Sequence, residues 1–415
     1  MWHKRTILTI ILVIMMSLSA SAQEVTLDVT WVESEACTLF EDLVTDYSEA
    51  TINVVCVPQA QWFDAIFVDL AAQSGADLLI MDTQFFGTAT ERNHLFDLNV
   101  WYANTFDNET FPEQVLDIHR DDNMLIAMPL QPDVRLLAYR ADVYQALGLS
   151  APVTWEELVE QAQLFRVNDD IPFGFVTHWS RQNDYVSSTW NHILWSSGGS
   201  LWDEATFTVE DILNTDDALE AVTIANILWQ TAPDDALTFT PTEVANAICD
   251  GDVAVVELWA NDIRQLADVE SCNEAENIAY TIVPAGDAGQ FTGYGGFGIS
   301  VSAYTDKEEM ALDFLTWFFS DSIQEQWLRE GGMTTRNDLL NDEAIQVDLP
   351  FIVSYRDSLP LVRDYWQIEI FPILLELQQQ YIQPAIAGQL NAEEALDTLA
   401  TAQQEALDTR YGRNE

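Results

Sequence analysis

The chain has 415 residues, with 16 Lys and Arg against 68 Asp and Glu, a formal net charge of −52, and 48% hydrophobic residues. This acid excess excludes nucleic acid and anionic membrane surfaces as partners and weighs against anionic ligands, because phosphate needs a basic footprint. The length and apolar content predict a folded chain of two lobes, not an acidic tail.

Lys4 and Arg5 precede the apolar run Ile7 to Met16 and the trio Ala20-Ser21-Ala22. A charged start, a short apolar stretch and an A-x-A site predict a signal peptide, residues 1–22, cleaved after Ala22. The run is too short to span a bilayer, and no Cys sits near the site to carry a lipid. The mature chain is therefore expected to be exported, to the periplasm or beyond. Its four cysteines are Cys37, Cys56, Cys249 and Cys272. In an exported chain they suggest disulfides. Three pairings are possible. Cys37–Cys56 and Cys249–Cys272 are favoured, each closing a loop of about 20 residues and contributing about 3 kcal/mol.

Val25 to Trp31 alternates apolar and polar residues, the pattern of a strand. Phe40, Leu43, Val44 and Tyr47 mark a helix. Ile52 to Val57 is a strand, Phe63 to Ala72 a helix, and Asp77 to Met81 a strand. Such alternation predicts a parallel sheet covered on both faces. Thr154 with Glu157 forms a capping box ahead of a helix whose apolar face is Trp155, Leu158, Val159, Ala162 and Phe165. Val253 to Trp259, Ala279 to Val283 and Phe297 to Val301 are further strands. Thr305 with Glu308 suggests a second capping box. Gly331-Gly332 should stop the following helix, and Asn391 with Glu394 should open the last one. No flexible linker separates two halves, so the chain is expected to cross between lobes more than once.

Gly293-x-Gly295-x-x-Gly298 matches a dinucleotide fingerprint only in spacing, since it follows a loop and enters a strand. These glycines better suit bending or close approach. No nucleophile elbow, zinc-protease or phosphate-loop pattern occurs, and the five His are scattered. No metal or cofactor is expected. The stronger signal is aromatic. Of 14 Trp, several stand beside glycine or polar residues and outside core periodicity, as at Trp31, Trp179, Trp195 and Trp259. Flat rings stack on the apolar face of a sugar, while carboxylates, amides and Arg take its hydroxyls.

The segment Met124 to Phe165 carries a Pro-ended strand, a crossover, and then Leu137, Tyr139, Arg140, Asp142, Gly148, Leu149, Pro152, Thr154, Trp155, Glu157 and Leu158. With Gly198-Gly199 and Trp202, the strand Gly251 to Trp259, the stretch Gly295 to Phe319, Gly332 to Arg336 and the final helices, this order resembles the carbohydrate-binding family of ABC-importer solute-binding proteins that includes maltose-binding protein. Thr335 stands where that family often has Pro, and Glu257 where a small residue is usual.

The resemblance implies an α/β fold of two lobes, each a mainly parallel sheet flanked by helices, with a ligand cleft between them. Residues 23–132 and 297–338 would form the first lobe, and 133–296 and 339–415 the second. Crossovers are implied near Leu130 to Leu136, near Gly293 to Gly298 and after Arg336. The implied function is a non-catalytic monomeric receptor that captures a sugar by hinge closure and delivers it to membrane permease subunits. A receptor for a cationic small molecule such as a polyamine, or a secreted carbohydrate-active enzyme, is the alternative. Candidate ligand contacts are Trp31, Glu33, Asp82, Gln84, Phe85, Asp133, Arg135, Trp179, Trp195, Glu257, Trp259, Asn261, Tyr294, Phe297 and Arg336. For Arg135 and Arg336 the competing reading is a structural ion pair. The acidity itself is read as adaptation to a salty solvent, not as a clue to the ligand.

Overall fold

The computed structural model describes residues 25–166 and 171–412, so the expected signal peptide lies outside it. Strand β1, Thr26–Val32, buries Leu27, Val29 and Trp31 on one phase of its alternation. β2, Thr51–Val57, runs parallel to β1 along its whole length, with Thr26 opposite Thr51 and Val32 opposite Val57. The helix Glu35–Leu43 connects them. Its first turn is capped by Ser34, whose hydroxyl accepts the Cys37 N–H at 3.1 Å. Cys37 is disulfide-bonded to Cys56 on β2, and Cys249 to Cys272. β3, Leu78–Asp82, lies parallel on the other side of β1.

The next sheet strand is long. β4, Met128–Arg140, has 13 residues and is buried over most of its length. β5, Phe173–Val176, β6, Val253–Trp259, and β7, Ile278–Ile282, follow it. β8, Thr292–Val301, then returns antiparallel to β4, with Tyr294 opposite Val134 and Ile299 opposite Met128. The sheet has nine strands among the described residues, in the order β2-β1-β3-β8-β4-β6-β5. β7 pairs with β4, and a two-residue strand β9, Val362–Arg363, pairs with β8. Pairing is parallel at the two ends and antiparallel in the centre. The centre differs because β8 carries the chain back along the path by which β4 left, and so must run against it.

Two hydrophobic clusters flank this centre. One gathers Trp31, Phe40, Trp62, Phe86, Phe314 and Trp327; the other gathers Leu136, Trp155, Trp179, Trp190, Trp366 and Leu399. The chain passes between them along β4, where Leu130 belongs to the first and Val134 to the second, and along β8 between Ile299 and Tyr294. A third passage falls inside the helix Asp321–Glu330, where Trp327 packs in the first cluster and Leu328 in the second.

Local signals explain the helix ends. Thr154 accepts the Glu157 N–H at 3.2 Å, and the Glu157 carboxylate reaches back to the Val153 N–H at 2.8 Å. Gly331, at φ 132°, ends the helix before it, and Asn391 caps the helix Ala392–Tyr411. The second expected capping box does not form. Thr305 instead donates to Asp77 at 2.6 Å and accepts from Lys307 N, and the helix starts at Glu308. Asp77 is buried and already paired with Lys307 at 2.8 Å, so it outcompetes the helix end for the hydroxyl. No helix among the described residues is long and apolar enough to cross a membrane.

Candidate ligand-binding cleft

Two cavities, of about 440 and 270 Å³, share Asp82, Gln84, Asp184, Tyr185 and Phe297 and form one cleft over the centre of the sheet. The first lobe contributes Gln59 and Trp62 from the helix Gln59–Ala71, and Asp82, Gln84 and Phe85 from the end of β3. The second contributes Asn183 to Tyr185, the residues Trp259, Asn261 and Asp262 at the end of β6, and Phe371 to Gln379 on the helix Phe371–Ile386. Gln131, Asp133, Gly295 and Gly296 come from the crossing strands. Residues at strand ends converge here because the strands point their ends at the gap between the lobes.

The floor is built by close backbone packing. Gly296 has φ 103°, and a Cβ there would lie 2.2 Å from the Gln131 carbonyl oxygen. A Cβ on Gly295 would sit 2.9 Å from the Trp259 ring, so the indole lies on bare β8 backbone. The glycine run is thus part of a strand pair, and not a phosphate loop. Gln131 links the parts: its amide donates to Asn261 at 3.1 Å and accepts from Met333 N at 2.9 Å. Asp133 accepts the N–H groups of Val134 (2.9 Å) and Asn261 (3.2 Å). Asp82 caps its own turn through Gln84 N at 3.0 Å. Trp62 lies 4.7 Å from Phe85 and 5.6 Å from Phe297, and Phe85 6.1 Å from Phe371, so rings of both lobes meet at the cleft wall.

Five carboxylates line the cleft, namely Asp82, Asp133, Asp184, Asp262 and Glu376, and no Lys, Arg or His is among its lining residues. Burial holds Asp82 and Asp133 well above the usual carboxylate range, with Asp184 and Asp262 respectively adding repulsion. Burial also raises Asp184 and pushes Asp262 up to about 6. Asp364, behind Asp184, is likewise pushed up to about 6 by burial. Tyr365 donates its hydroxyl to Asp184.

Arg135 and Glu257, expected at the ligand, lie beneath the cleft instead. Both are fully buried and 2.6 Å apart. Arg135 also meets His178 Nδ1 at 2.7 Å, Thr177 at 2.8 Å and Thr189 at 3.0 Å, and Glu257 meets His192 at 3.2 Å. Burial, with the Arg135 charge beside it, holds His178 well below its ordinary value, so its Nδ1 accepts from the guanidinium. The guanidinium sits 4.9 Å from the Trp259 ring centroid and supports it from below.

The structure brings Asp82, Gln84, Phe85, Asp133, Trp259, Asn261 and Phe297 together in the cleft. It does not bring the others there. Trp31, Trp179 and Tyr294 are core residues. Trp31 falls on the inward phase of β1, a position its own alternation marks. Trp195 lines a separate cavity with Trp202 and Arg363. Glu33 is exposed beyond β1 and lines neither part of the cleft. Arg336 is spent on Asp338 at 2.6 Å and the Phe319 carbonyl at 2.8 Å. Sequence reasoning missed Gln59, Trp62, Gln131, Asp184, Tyr185, Asp262 and Phe371. Asp262 was legible as the neighbour of Asn261, and Gln131 as the neighbour of the crossover; Phe371 had no local signal.

Three comparisons bear on this geometry. A probable ABC transporter-binding protein of Deinococcus radiodurans is 25% identical over 319 residues, which is 74% of this chain and 74% of that relative. The sugar-binding protein MalE from Xanthomonas citri matches in structure with a TM-score of 0.82 at 16% identity, over 94% of this chain and 100% of that one. A ribitol-bound solute-binding protein from Agrobacterium radiobacter matches at 0.78 and 22%, over 92% and 98%. At such identities these two structures establish the two-lobe fold. The family model for bacterial extracellular solute-binding proteins matches residues 33–325. That span takes in both sides of the cleft and both crossing strands, and the chain therefore belongs to the bacterial extracellular solute-binding proteins.

Proposed function

We propose that this chain is the exported, non-catalytic receptor of an ABC importer, and that it captures a sugar or polyol between its lobes and presents the closed form to permease subunits. The observation that carries this reading is a cleft walled by rings from both lobes, Trp62, Phe85 and Phe297 against Tyr185, Trp259 and Phe371, among amides and carboxylates. Rings take the apolar face of a pyranose or an extended polyol, and Gln84, Asn261, Gln379 and the carboxylates take hydroxyls. Only the closed form touches the solute from both sides, so binding favours closure. The relatives bound to ribitol or named as sugar-binding support the same class. Export after cleavage at Ala22, a monomeric state and docking on permease subunits belong to this proposal.

A thermal-shift screen over sugars and polyols, with calorimetry and small-angle scattering on each hit, tests it. A hit should bind one-to-one, shrink the radius of gyration and remain chemically unchanged. Turnover of any bound glycoside, or silence across all sugars and polyols, overturns the reading.

A further inference from the structure

Among the described residues, the two carboxylates that are buried outright come with a cation. Asp77 is 2.8 Å from Lys307, and Glu257 is 2.6 Å from Arg135. The cleft gathers four carboxylates without one. Asp82, Asp133, Asp184 and Asp262 are half-buried in its walls, and among the described residues none has a salt bridge. Asp82 and Asp133 accept only backbone N–H groups, and Asp184 accepts the Tyr365 hydroxyl and its own backbone N–H. The Asp262 carboxylate has no hydrogen-bond partner among the described residues. Arg135, beneath the cleft, spends its hydrogen bonds on Glu257, His178, Thr177 and Thr189, and its charge only partly offsets the burial of Asp133, Asp184 and Asp262.

All four carboxylates line the smaller cavity, of about 270 Å³, together with the rings of Tyr185, Trp259 and Phe297. Closing the lobes over a neutral solute would strip water from these carboxylates and supply no countercharge. A cation would meet both the carboxylates and the ring faces, which attract positive charge. No three of these side chains stand close enough to hold a metal ion among the described residues, so the geometry suits a larger, organic cation. Burial raises each of the four, and a cation between them would draw their protons off.

We propose that the solute carries a protonated amine, as an amino-substituted sugar does, with its ring on the aromatic wall and its ammonium group among Asp133, Asp184 and Asp262. This rests on the receptor reading above and narrows its solute class.

Calorimetry at pH 7.5 on the mature protein tests it with matched pairs: glucosamine against glucose, and the diamine of chitobiose against cellobiose, with spermidine beside them. The amino sugar should bind at least tenfold more tightly than its neutral counterpart. Asp262→Asn and, separately, Asp184→Asn should erase most of that preference. Asp262→Asn should also leave the free protein melting no lower than wild type, because an unpaired carboxylate is removed; a merely structural Asp262 would lower it. A neutral sugar that binds as tightly as its amino counterpart overturns the proposal and leaves the sugar-receptor reading standing. Spermidine binding while every sugar fails overturns the sugar reading and leaves the ammonium subsite standing. If no ammonium compound in the set binds, the proposal is wrong.

Discussion

Arg135 and Glu257 set opposite charges inside the second lobe, 2.6 Å apart and out of contact with water. Removing one member leaves the other as a bare buried charge. Glu257→Ala is therefore expected to cost about 3–5 kcal/mol, measured by urea unfolding. It should also loosen Trp259, which rests on the guanidinium. The carboxyls in and behind the cleft act in the opposite sense. Burial pushes Asp262 and Asp364 up to about 6 in the folded chain, whereas an unfolded Asp titrates near about 3.9. Between those values the folded state holds protons that the unfolded state has lost. The stability these groups contribute is thus complete below about pH 4 and is lost as pH rises through about 6. A melting series of the ligand-free protein from pH 7.5 to 5 should show the melting temperature rising as pH falls, and Asp262→Asn should flatten part of that rise. A flat or falling profile in wild type would show that these groups are solvated.

At the scale of elements, the crossing pair β4 and β8 is held by bare backbone. Gly296 combines a left-handed φ of 103° with a gap of 2.2 Å to the Gln131 carbonyl for any added Cβ. Gly296→Val should force the strands apart, lower the melting temperature by several degrees and weaken solute binding together with it. Gly148→Ala, where φ is also positive but nothing lies within 4 Å, should cost less and leave binding intact. The comparison separates backbone strain from damage to the hinge. The same elements show what a sequence displays. Strands β1, β2 and β6 and the caps at Thr154 and Asn391 were legible because their signals lie within a few residues. The Thr305 cap failed because Asp77, 228 residues away, claims the hydroxyl. Trp31 and Trp179 looked like ligand contacts from their polar neighbours, yet packing inside the first and the second hydrophobic cluster respectively buries them. Asp82, Asp133, Trp259 and Asn261 reach the cleft because strand ends and crossovers place side chains by topology, which the order of motifs does carry.

At the scale of the whole molecule, the charge of −52 has two separable parts. Most acids are spread over the surface, where like charges repel and salt screens them over about 8–10 Å near physiological strength. Raising sodium chloride from about 0.05 to about 1 M shortens the screening length roughly four- to fivefold and should therefore raise the melting temperature of the free protein. The cleft acids answer to a different partner. If they hold an ammonium group, the same salt should weaken solute binding while it stabilises the fold, because it screens the attraction between the ammonium and the carboxylates. A neutral sugar gives the other pattern, with stability rising and affinity nearly constant. Calorimetry and thermal unfolding on the same salt series distinguish the two. In the first pattern the acidity is a matter of solvent at the surface and of the solute in the cleft, where among the described residues the carboxylates have no salt bridge; in the second it is a matter of solvent throughout.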